Sequence, residues 1–125
     1  CIFLLSILLL MACSDIKPEA EYYKLANDQY NSGKFEESIV NFKNILKHYP
    51  KSKNAAKSMF MVGFICANHI NDLERAKQFY TKFIDTYPEH ELVSSAKYEL
   101  DTLGKDINEL DIFKKIEEEE ETETK

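Results

Sequence analysis

Phe42, Ile45, Tyr49 and Pro50 return as Tyr80, Phe83, Tyr87 and Pro88, each 38 residues further along, and Ser38 meets Ala76 at the same offset. Earlier in the unit, Leu25 and Ala26 correspond to Val62 and Gly63 at an offset of 37. One extra residue therefore belongs in the intervening turn, around residues 68–72. A period between about 20 and 50 residues is the signature of stacked repeats, in which each unit buries its apolar face only against a neighbour. This periodicity excludes most folds before any single residue is considered.

Each unit reads as two helices. Tyr22, Leu25, Ala26, Gln29 and Tyr30 fall on one helical face, with Gln29 the only polar member. The stretch from Asn31 to Lys34 supplies a turn, and Phe35, Ile39, Phe42, Ile45 and Leu46 form the inner face of a second helix. Pro50 has no amide hydrogen and pushes Tyr49 out of helical dihedrals, so that helix stops there. The second unit repeats the plan. Its first helix is expected over about residues 53–68, Asn71 or Asp72 caps the next, and that helix runs to about Thr86. A further helix passes through Leu92, Ala96, Leu100 and Leu103 and ends near Gly104. Asp106 and Glu109 then resemble a capping box for a short last helix carrying Ile107, Leu110, Phe113 and Ile116. No alternating strand pattern is present, so the fold class is all-α.

These residues resemble the tetratricopeptide repeat. Leu25 and Ala26 stand at its large-then-small pair, Gly33 in its turn, Phe35 at the start of its second helix, Ser38 at its small crossing position, Phe42 at its aromatic position and Pro50 at its end. Val62, Gly63, Ala76, Tyr80 and Pro88 match in the second unit. Ile45 and Phe83 stand where the family usually has alanine, which implies a wider crossing between units. The resemblance implies a right-handed α-solenoid with repeat units at 19–50 and 51–88 and a partial repeat with capping helices at 89–116. The paired Tyr-Pro endings and the long period are similar to periplasmic repeat proteins of bacterial envelopes. Among these are the Tol-Pal coordinator, through its C-terminal repeat domain, and the outer-membrane assembly lipoprotein family.

The N-terminal segment supplies an address. The run from Ile2 to Leu10 is apolar and uncharged, and Leu10, Met11, Ala12 and Cys13 resemble a lipobox, with a small residue before a cysteine that becomes lipidated. The run is too short to span a bilayer, which needs about 20 apolar residues, and fits the apolar core of a signal peptide. The chain opens on Cys1 without a basic stretch, so residues 1–12 are expected to be a truncated lipoprotein signal and residues 13–18 a lipidated tether. Ser14, after the cysteine, suits sorting to the outer membrane. Cys66 then remains alone in an apolar stretch, with no disulfide framework in the mature chain, and is expected to be a buried small hydrophobe.

Charge excludes another class. Of the net charge of −6, −5 falls in residues 117–125, leaving the rest of the chain nearly neutral. Nucleic-acid binding needs a basic surface, so no nucleic-acid partner is expected. The acidic end repels itself and is expected to be a disordered tail.

No catalytic or metal-binding pattern stands out. His48, His69 and His90 fall near helix ends rather than as a ligand pair on one face. Glu36, Glu37, Glu89 and Glu91 lie near helix starts, where carboxylates complement the dipole. No enzyme activity, cofactor, metal or small-molecule substrate is expected.

The resemblance instead implies a scaffold for envelope proteins or their peptide segments. The first helices of its units line a groove, which places Tyr23, Asn27, Tyr30 and Asn31 of the first unit and Phe60, Phe64 and Asn68 of the second against a partner. Phe60 and Phe64 fit the groove and the repeat core equally well. The pathway implied is outer-membrane β-barrel assembly, with Tol-Pal or cell-wall coordination as the alternative, from a lipid anchor on Cys13 at the periplasmic face of the outer membrane.

Overall fold

The computed structural model describes residues 15–105. Cys13, Ser14, the expected signal segment, the expected last helix with its capping box and the acidic tail lie outside these residues. Five α-helices make up the described part: α1 (Glu19–Asn31), α2 (Phe35–His48), α3 (Ala55–Ile65), α4 (Leu73–Thr86) and α5 (Val93–Thr102). Each packs on its neighbours in sequence as antiparallel pairs, giving a tetratricopeptide-type helical repeat.

Local chemistry sets the helix ends. Pro18 precedes α1, and Glu19 and Glu21 place negative charge in its first turn, where the helix dipole favours it. The chain then reverses through Gly33, whose φ of 75° is a left-handed conformation costly for any residue with a Cβ. Helices α2 and α4 both stop one residue before a Tyr-Pro pair, at His48 and Thr86. Asp72, rather than Asn71, caps α4, its carboxylate accepting from the Arg75 amide at 3.0 Å. Asn71 instead takes the left-handed turn, with φ of 59°. It is the repeat equivalent of Gly33.

The extra residue of the second unit enters earlier than the turn. After Ile65 the helix widens into a π-helical turn over Cys66–Ile70. The Asp72 amide closes it by donating to the Cys66 carbonyl at 2.8 Å. That bond reaches back six residues, where an ordinary left-handed helix ending reaches back five. A π turn is how a helix holds one inserted residue without breaking. The first helix of this unit starts at Ala55, two residues later than expected, and its last turn is π-helical rather than α-helical.

Repeat-equivalent residues share the core. Tyr22 and Met59, Ala26 and Gly63, Ser38 and Ala76, Phe42 and Tyr80, Ile45 and Phe83, and Ser58 and Ala96 are all buried. Ala26 and Gly63 let the helices of a unit approach closely. A Cβ on Gly63 would lie 3.0 Å from the Tyr80 ring, which is itself fully enclosed. In the first unit the contact is polar, with Ser38 Oγ donating to the Ala26 carbonyl at 2.7 Å. Cys66 is fully buried, and burial pushes its thiol above the ordinary range, so it behaves as a small apolar side chain.

Candidate functional site

The two ends of the helix stack differ in chemistry. At one end lie the turns inside each unit, and there the π turn carries His69 across to the first unit. His69 Nε2 meets Tyr30 Oη at 3.2 Å. Its ring stacks on Phe35 with centroids 4.2 Å apart and planes 15° apart, and the Phe64 ring lies 6.0 Å away, edge to face. Tyr30 and Phe35 also meet edge to face at 5.9 Å. Tyr30, Phe35 and Phe64 are half-buried and His69 is exposed. Four aromatic rings from α1, α2, α3 and the π turn thus form a partly open cluster bridging the units.

Polar groups border it. Asn68 is exposed, and its amide donates to the Phe64 carbonyl at 3.1 Å and to Glu99 Oε2 at 3.4 Å. With Asn71, Glu99 and Thr102 it lines a cleft of about 210 Å³ between the π turn and α5. On the other side, Arg75 donates to both carboxylate oxygens of Glu36, at 3.3 and 3.4 Å, and to Asp72 at 3.0 Å. This bridge ties the starts of α2 and α4 together.

The residues expected to form a groove divide in three. Tyr30, Phe64 and Asn68 come together around His69, with Asn31 exposed at the end of α1. Tyr23 and Asn27 lie further back along α1, both half-buried. The Tyr23 ring meets Phe42 edge to face at 6.2 Å, and the Asn27 amide donates to the Tyr23 carbonyl at 2.6 Å. Phe60 belongs to the core. It is 9% exposed and packs between Tyr80, at 5.5 Å, and Phe83, at 5.7 Å. Tyr23 is its repeat equivalent, but among the described residues α1 has a helix on one side only, whereas α3 is packed between α2 and α4. Position in the stack, rather than residue type, decides which of the two aromatics keeps an open face.

His69 and Phe35 were not among the expected site residues. Phe35 read as an inner-face residue, and His69 read as a helix-end residue. Only the repeat offset that drops from 38 to 37 hinted at an irregular turn there.

Among the described residues no three His, Cys, Asp or Glu side chains gather closely enough to hold a metal ion. None of the described helices is long and apolar enough to cross a membrane. The cluster can offer aromatic faces, an imidazole and amide groups. Those are means of recognition by contact and hydrogen bonding.

A protein-family model for YfiO, described as an outer membrane lipoprotein, matches residues 15–121. No curated protein and no solved structure matches the chain.

Proposed function

We propose a function on the premise that this chain belongs to the YfiO family of outer membrane lipoproteins. Lipid on Cys13 holds the chain at the periplasmic face of the outer membrane. There it acts as a non-enzymatic scaffold in β-barrel assembly, binding an envelope protein or an extended segment of one. The lipid anchor stabilises membrane residence by roughly 0.8 kcal/mol per buried CH₂, so no spanning helix is needed.

The observation that carries the scaffold reading is the open aromatic cluster of Tyr30, Phe35, Phe64 and His69, with Asn31 and Asn68 beside it. Its rings are already held by one another, so little side-chain entropy is lost when a partner covers them. Tyr23 and Asn27 extend the same surface along α1.

Affinity capture from envelope extract tests the reading, with recovered proteins identified by mass spectrometry. Barrel-assembly subunits are expected. Recovery of Tol or Pal components would move the scaffold to that system, and recovery of neither would overturn the assembly role. Lipidation is tested separately by the mass of the chain extracted from membranes, where acyl groups on Cys13 are expected and an unmodified thiol would contradict the anchor.

A further inference from the structure

The other end of the stack holds the loops between units and the start of the described chain. Residues 15–18 do not hang free there. The Lys17 amide donates to Tyr22 Oη at 3.2 Å, Tyr49 Oη donates to the Lys17 carbonyl at 2.8 Å, and Ser52 and Asn54 both donate to Glu19 Oε1 at 2.8 and 2.7 Å. The N-terminal segment is thereby strapped to the loop between α2 and α3. Cys13 is four residues before Lys17, and four residues of fully extended chain reach at most about 14 Å.

That loop is basic. From Ser38 to Asn71 the chain has five lysines and no carboxylate. Lys47, Lys51, Lys53 and Lys57 sit in the last turn of α2, the loop and the first turn of α3, and all are exposed. Among the described residues none of these four forms a salt bridge; of the carboxylates on the N-terminal segment and the start of α1, Glu19 accepts from Ser52 and Asn54, Glu21 pairs with Lys17, and Asp15 also acts on Lys17. The loop between α4 and α5 is equivalent, following the second Tyr-Pro pair, yet Lys51 and Lys53 are replaced there by Glu89 and Glu91 at the 38-residue offset. The end face is therefore polarised, basic beside the anchor and acidic away from it.

We infer that Lys47, Lys51, Lys53 and Lys57 form a contact surface for the anionic phospholipid headgroups of the membrane that carries the anchor. The inference rests on the lipid reading of Cys13 for its placement, because a short strapped tether leaves this end no more than a few residues' reach from the bilayer. One acyl-type signal and a basic patch together hold a protein at a membrane far better than either alone. The contact also sets orientation. Helix α1 is about 20 Å long, so with the lysine end on the membrane the Tyr30 and His69 cluster faces away from it, open to a partner.

The test is sedimentation of the chain from Cys13 to Lys125, made without acyl groups, with phospholipid vesicles at low salt. The described fold begins at Asp15, so this chain keeps all of its contacts. Binding is expected to vesicles containing about a third phosphatidylglycerol and not to phosphatidylcholine alone. Lys51→Glu with Lys53→Glu places the second unit's own residues in the first and should weaken that binding about tenfold or more. Lys34→Glu with Lys77→Glu makes the same charge change at the other end and should weaken it far less. Equal sedimentation with both vesicle types, or equal losses in the two double variants, would overturn the inference. Binding that appears only after removal of residues 117–125 would assign the lysines to the acidic tail and would also overturn it. Because the protein carries no lipid here, failure of this test is distinct from failure of the anchor, which the acyl mass on Cys13 reports.

Discussion

Tyr30 and His69 stand 39 residues apart in the chain and meet at 3.2 Å, hydroxyl to imidazole. The contact exists because the second unit carries one residue more than the first, and the π turn over Cys66–Ile70 swings His69 back onto the first unit. Its ring is exposed, so His69→Ala should cost only about 0.5–1.5 kcal/mol of stability from lost aromatic packing. Partner capture should fall much further. Thermal unfolding and capture measured on the same variant separate the two effects, and a collapse of the fold would show that His69 is a core residue.

Gly63 is the tightest crossing. Gly63→Ala gains about 1 kcal/mol in helix propensity but drives a methyl group against the buried Tyr80 ring at 3.0 Å. Overpacking of this kind costs about 1–3 kcal/mol, and Tyr80 is fully buried. A net loss of up to about 2 kcal/mol is expected in denaturant unfolding.

Ser38 and Ala76 occupy one repeat position with different chemistry. Ser38→Ala removes the bond to the Ala26 carbonyl and should cost about 0.5–1.5 kcal/mol. Ala76→Ser would place a hydroxyl at a fully buried crossing and should destabilise as well. Urea midpoints of the two variants test the asymmetry.

Alkali should act through Tyr80. Burial first, and the nearby Glu99 carboxylate second, push its phenol far above the ordinary value of 10.0. A group whose folded value is raised favours the folded state below its unfolded value, and that contribution drains away as pH rises beyond it. Stability should therefore fall above about pH 10 in the wild type and fall less steeply in Tyr80→Phe. Among the described residues no group stands within hydrogen-bond geometry of the Tyr80 hydroxyl, Glu99 being a nearby carboxylate rather than a bonded partner, so the variant should lose little stability at neutral pH.

Acid should act through Asp72. The Arg75 amide, then the Arg75 side chain, hold its carboxyl below the ordinary value of 3.8. The stabilisation is present above that value and is lost as pH falls through the lowered one. Asp72→Ala should remove this part of the acid transition, followed by hydrogen exchange of the Arg75 amide.

The described helices were legible in the sequence because apolar periodicity and Tyr-Pro stops act locally, while the choice of Asp72 over Asn71 as the cap of α4 needed the structure. Cys66 was legible as a core residue because it lies in the apolar stretch from Met59 to Ala67. The site was less so. An offset of 37 against 38 shows that one residue is extra, but not whether a loop or a helix absorbs it, and that choice decides where His69 points. Phe60 and Tyr23 share a repeat position, and only the stacking of α3 between two helices buries one and leaves the other open. The opposed Lys51, Lys53 and Glu89, Glu91 pairs were present in the chain, yet net charge hid them because the two loops offset one another.

The most direct test of the scaffold account is a photo-crosslinking side chain introduced at Asn68, beside the aromatic cluster, in living cells, with the same side chain at Gln78 on the exposed face of α4 as reference. The account predicts discrete adducts with an envelope protein from position 68 and none of comparable yield from position 78. Adducts of equal yield at both positions, or at position 78 alone, would contradict it.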